Sequence, residues 1–134
     1  MLGTKEFALE AVRFLNEKKA QDIVLLEMGN LTLVADYFLI CSGSSRIQTQ
    51  ALCVHLKDNL LDGGYPLLRQ EGYQEGKWIL LDYGALIIHI FLPEERSFYN
   101  LERLWGGAKG IDLGCLMPPP DLQSEGALKW RGDL

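Results

Sequence analysis

Apolar residues recur along this chain in two periods, and the switches between them mark the elements. Over residues 5 to 19, Phe7, Ala8, Ala11, Val12 and Leu15 fall on one broad face, which predicts a helix with a single buried side. Thr4 is placed to cap it, and Glu6 suits the positive end of the helix dipole. DIVLLEMG, ended by Gly29 and Asn30, is short and rich in β-branched residues and predicts a strand. LTLVADYFLICSG predicts another, interrupted near Ala35 and Asp36 and closed at Gly43.

Ser44 or Ser45 can cap a second helix over RIQTQALCVHLKDNLL. Its expected apolar surface consists of Ile47, Ala51, Val54 and Leu61, with Leu52, Leu56 and Leu60 beside them. WILLDYG and LIIHIFL are separated by a Gly84 turn and predict an antiparallel hairpin. Pro93 and two acidic residues open EERSFYNLERLW, expected to be one helix with Phe98, Leu101 and Leu104 or Trp105 at helical spacing, stopped by Gly106 and Gly107. This order implies a mixed α/β domain, with helices packed on a twisted central sheet.

With 134 residues, the chain has room for one domain, and 48% hydrophobic content supplies a core. The expected domain covers residues 1–107. Residues 108–134, with three prolines at 118–120, read as an extended or mobile tail. The RGD triplet at 131–133 reads as chance, because an adhesion role needs an extracellular protein.

Charge narrows the list of partners. Thirteen basic and eighteen acidic residues give a net charge of -5, spread over both halves, which excludes a protein that grips many phosphates. Cys41, Cys53 and Cys115 are odd in number and far apart, which suits a reducing compartment over a disulfide framework or metal knuckle. Without a signal-like segment or an apolar run long enough to span a bilayer, the expected location is the cytoplasm.

Candidate chemistry is sparse. CSGSS at 41–45 runs from a strand through glycine into a helix, a geometry that can hold a phosphate. Metal-dependent nucleotidyl transfer there would need paired carboxylates, and the best strand carboxylate, Asp82, has no acidic partner two residues away. Ser42, Gly43, Ser44 and Ser45 are therefore read as a structural turn and helix cap, with transfer as the alternative. His55 and His89, the two histidines, lie in different elements, and His89 reads as a hydrogen-bonded core or inter-strand residue. No cofactor or metal is expected.

The aromatics point elsewhere. In strand periodicity Trp78, Leu80 and Asp82 share one face while Ile79, Leu81 and Tyr83 share the other, so one face can serve the core and the other a protein partner. A general interaction domain remains open on these grounds alone.

The stretches KKAQDIVLLEM at 18–28, ADYFLICSGSSR at 35–46, EG at 71–72, WILLDYG at 78–84, IIHIF at 87–91 and RSFYNLERLW at 96–105 resemble, in order and spacing, the ribosomal silencing factor or Iojap-like family. The resemblance implies a nucleotidyltransferase-like fold without transferase activity. It implies binding to the large ribosomal subunit through its protein fourteen, steric hindrance of subunit joining, lowered translation when nutrients are short, and in organellar relatives help with large-subunit maturation. Little direct nucleic-acid contact is then expected, and self-association through an exposed sheet or helix surface is. Carried over by position, the partner-binding residues are Trp78, Leu80, Tyr83, Gly84 and Ala85 in the hairpin, and Glu102, Leu104 and Trp105 in the terminal segment. The family usually has an acidic residue where this chain has Ala85.

Overall fold

The computed structural model describes residues 3–114. Its centre is a six-stranded sheet made of β1 (Gln21–Glu27), β2 (Tyr37–Ser42), β3 (Arg69–Glu71), β4 (Trp78–Asp82), β5 (Leu86–Phe91) and β6 (Lys109–Gly110). Spatial order is β3-β4-β5-β2-β1-β6. β2 and β5 run parallel, and the other neighbours are antiparallel, so the sheet is mixed. β2 and β5 are buried along all six residues, which explains their unbroken apolar sequences: each has strands on both sides and side chains packed on both faces.

Helices α1 (Thr4–Glu17) and α2 (Arg46–Asp62) cover one face together. α1 buries Phe7, Ala8, Ala11, Val12 and Leu15, as its periodicity predicts. Thr4 is its first helical residue and not its cap; Gly3 takes the capping position and its carbonyl accepts from Phe7 N at 2.9 Å. α2 turns differently from expectation. It buries Thr49, Leu52, Cys53, Leu56 and Leu60, whereas Ile47, Val54 and Leu61 are exposed. Apolar residues nearly surround this helix, so their distribution cannot set its rotation. Two polar anchors help to do so: the Thr49 hydroxyl donates to the Gly76 carbonyl at 2.7 Å, and Gln50 Nε2 to the Tyr73 carbonyl at 2.7 Å.

Two further expectations are corrected. LTLV does not form a strand: residues Gly29–Leu31 form a single 3-10 turn, and Leu33 and Val34 are exposed. The β1 to β2 ladder ends at Glu27 opposite Tyr37, which leaves the chain before Tyr37 without a strand to pair with. EERSFYNLERLW is likewise two helices, α3 (Pro93–Tyr99) and α4 (Leu101–Leu104). Asn100 breaks them by adopting a left-handed conformation (φ 48°, ψ 59°), which asparagine tolerates, while its side chain accepts from Arg103 N and caps α4.

Core contacts continue past Gly107, where the tail was expected to begin. β6 pairs with β1, Ile111 N donates to the Leu25 carbonyl at 2.9 Å, and Leu113 is buried among the α1 and α2 residues. The prolines at 118–120, Cys115 and the RGD triplet lie outside the described residues. No helix among the described residues is long and apolar enough to cross a membrane.

Candidate partner-docking face

Alternation along the strands divides the sheet into two unlike faces. Leu25, Leu39, Cys41, Ile79, Leu81, Ile88 and Ile90 point to α1 and α2. Leu26, Phe38, Ile40, Ile87 and Phe91 point the other way, where the partly buried Trp78, Leu80, Leu101 and Trp105 pack beside them. Among the described residues the helical cover on this second face is the short α3 and α4, and a row of rings crosses it. Trp105 meets Phe38 edge-on at 5.8 Å, Phe38 meets His89 at 5.2 Å, and Trp78 meets Tyr99 at 4.6 Å and Phe91 at 5.0 Å. Trp78 Nε1 donates to His89 Nδ1 at 3.1 Å and joins the two halves of the row. Phe98, Tyr99 and Leu104 add exposed apolar surface on α3 and α4.

The structure brings together Trp78, Leu80 and Trp105 from the sequence reading, with Leu104 exposed on α4. Tyr83 does not join them. Its ring lies 9% exposed on the opposite face with its edge toward Phe7 at 5.5 Å, and burial, followed by the nearby Cys53, pushes its phenol up to about 12. An odd-numbered neighbour of Trp78 and Leu80 in the hairpin must face the helices, so Tyr83 is core. Gly84 and Ala85 form the turn at the hairpin's end. Gly84 has φ +88° and its N–H donates to Asp82 Oδ1 at 2.8 Å, so the Asp82 carboxylate serves the turn. The Ala85 carbonyl accepts from Asp36 N and Tyr37 N, a backbone role that its side chain does not alter.

Glu102 is paired inside the molecule. Arg96 Nη2 lies 2.8 Å from Glu102 Oε2, and Arg96 Nη1 donates to Ser42 Oγ at 2.9 Å. With Arg96 nearly buried and Glu102 about two-thirds buried, this pair ties α4 to α3 and both to the end of β2, and so fixes the scaffold under Tyr99 and Trp105. Arg96 escaped the sequence reading because nothing local marks a side chain that reaches 54 residues back to Ser42. Phe38 and His89 were not singled out for the site either; alternation puts Phe38 on the Ile40 face and the hairpin register puts His89 opposite Leu80, but only the β2–β5 pairing brings the two together.

The strand-to-helix turn spends its polar groups within the chain. Gly43 N donates to the Phe91 carbonyl at 2.9 Å, Ser44 N and Oγ both donate to Gln48 Oε1, and Ser45 Oγ accepts from Gln48 N at 3.1 Å as the α2 cap. The Gly43, Ser44 and Gln48 amides are thus engaged within the chain. Burial pushes the Cys41 thiol up to about 12, despite the opposing pull of Arg96, and the Cys53 thiol up to about 11, so neither is a thiolate at neutral pH. His55 bonds Glu17 at 3.0 Å between the helices, on the other side of the sheet from His89. Among the described residues no three His, Cys, Asp or Glu side chains cluster as metal ligands.

Burial lowers the His89 imidazole from an ordinary 6.5 to about 4. The folded protein therefore holds it neutral where the unfolded chain takes up a proton. Its contribution is intact above pH 6.5 and is lost as pH falls toward 4, by about 2 to 3 kcal/mol. Urea denaturation at pH 7 and pH 4.5 measures this: the drop in stability should be smaller in His89→Phe than in the unmodified chain, and an equal drop would refute it.

The sequence pattern of the family described as "Ribosomal silencing factor during starvation" matches residues 3–128. A ribosomal silencing factor of Bacillus subtilis is 46% identical over 98 residues, covering 73% of this chain and 83% of its own. That of Halalkalibacterium halodurans is 40% identical over 112 residues, covering 84% of this chain and 96% of its own. A crystal structure of a Chromobacterium violaceum protein superposes with a TM-score of 0.77 at 31% identity, covering 81% of this chain and 90% of that one. With the mixed sheet, the flanking helices and the sequence all in agreement over most of its length, this chain belongs to the ribosomal silencing factor family.

Proposed function

We propose that this chain binds the large ribosomal subunit through that subunit's protein fourteen, on the face that meets the small subunit, and hinders joining by standing in the way. The observation that carries this reading is the ring-lined sheet face opposite α1 and α2, where Trp78, Leu80 and Trp105 are half-buried and Phe98, Tyr99 and Leu104 exposed. Partly buried aromatics set on a rigid sheet offer the large, low-entropy contact area that protein interfaces use as anchors. A net charge of -5 favours a basic protein surface over bare RNA.

Within this proposal the fold is nucleotidyltransferase-like and put to use for binding. The Ser44 amide is bonded to Gln48 Oε1 and the Asp82 carboxylate to the hairpin turn, which supports a structural role for both. Repression then needs no chemical step, and the setting is the cytoplasm, with a further role in large-subunit maturation. Sedimentation of the protein with purified large subunits tests the docking partner. Co-sedimentation that isolated protein fourteen competes away is the expected result; binding that ignores this competitor would refute the assignment.

A further inference from the structure

Resting on that docking face, we propose that His89 is its positioning residue: through Nδ1 it holds the Trp78 indole in the pose that the partner meets. β5 reads LIIHIF, and the imidazole is the one polar side chain in it, 4% exposed among Phe38, Phe91 and Trp78. A leucine or phenylalanine would satisfy packing at this place. The histidine instead carries a buried Nε2 with no hydrogen-bond partner, which is unfavourable in an apolar setting.

What the imidazole supplies in return is an acceptor 3.1 Å from the single N–H of Trp78. Indole nitrogen only donates, so Nδ1 must accept, and the ring proton is fixed on Nε2. Phe91 and Tyr99 border the indole at 5.0 and 4.6 Å but contribute only ring contacts; the hydrogen bond sets its rotation. A partly buried tryptophan held in one rotamer loses less freedom on docking than a loose one.

The test combines binding and spectroscopy on the full chain. His89→Phe keeps a ring and removes the acceptor, and its affinity for large subunits should fall about tenfold, the worth of one hydrogen bond. His89→Asn keeps an acceptor near the Nδ1 position and should recover most of that loss. In a background of Trp78→Phe, which lacks the N–H, His89→Phe should cost nothing further. The Trp78 indole proton, identified in NMR spectra by its loss in Trp78→Phe, should be protected from exchange in the unmodified chain and exposed in His89→Phe. Protection in the unmodified chain is read on folded protein, so it tests the bond even where a variant is too unstable for binding work.

Unchanged binding by folded His89→Phe, additive losses in the double variant, or an unprotected indole proton in the unmodified chain would each overturn the positioning role and leave the docking face standing. If the unmodified chain itself fails to bind, the docking reading falls and the positioning role falls with it.

Discussion

Truncating Trp78 to alanine is expected to weaken binding to the large subunit by at least about 2 kcal/mol, roughly 30-fold, while the domain stays folded. Both halves of that expectation follow from where the side chain sits. Its neighbours Ile79 and Leu81 are fully buried against α1 and α2, but Trp78 is only partly buried, on the other face, and packs against the smaller cluster. Removing the indole deletes the contacts to Phe91 and Tyr99 and leaves His89 Nδ1 without its donor, so some stability is lost as well. The helix-side core, which holds most of the buried apolar residues, is not touched. Circular dichroism melts alongside the binding titration separate the two effects. A folded variant that binds as well as the unmodified chain would remove Trp78 from the interface.

Gly72→Ala is expected to be among the most damaging single substitutions, at about 3 kcal/mol of stability. Gly72 has φ +84°, a conformation that penalises any Cβ, and a Cβ built there runs into the Trp78 carbonyl oxygen, which is backbone and cannot step aside. Gly64 provides the control. Its φ is +89° but nothing lies within 4 Å of a built Cβ, so Gly64→Ala carries the conformational cost alone, about 1 to 2 kcal/mol. Thermal or urea denaturation of both variants should rank Gly72→Ala as clearly the worse. Equal losses would mean that the close approach at Trp78 relaxes without cost.

Period-two alternation located the β4–β5 hairpin and its two faces, and period 3.6 located α1 with all five of its buried residues, because in those segments one face is apolar and the other is not. The same alternation already contained the answer for Tyr83, which shares the face of Ile79 and Leu81; transferring the whole WILLDYG stretch as a binding surface overrode it. α2 defeated the method because Ile47, Val54 and Leu61 compete with Leu52, Leu56 and Leu60 for the buried side, and the choice is made by contacts with Gly76 and Tyr73, far off in sequence. β3 is three residues long, too short for a pattern, and β6 is two. The Asn100 break in the last helical stretch depends on one side chain taking a left-handed turn, which periodicity cannot register.

Candidate site residues divide along the same line. Trp78, Leu80 and Trp105 were visible as aromatic or aliphatic positions on one strand face and one helix end. Phe38 and His89 reach the site by a parallel pairing of β2 with β5 across more than forty residues, and Arg96 by a hydrogen bond to Ser42. Glu102, carried over by position as a partner-binding residue, lies 2.8 Å from Arg96 and helps hold α4 in place. The face is thus assembled by long-range pairing, from elements that local patterns had already outlined.

Joining of purified small and large subunits, followed by light scattering as the protein is titrated in, tests the central claim most directly. The predicted result is a fall in joined ribosomes that saturates at about one protein per large subunit and is weakened in Trp78→Ala by the same factor as binding. Undiminished joining with the protein bound at saturation would contradict it.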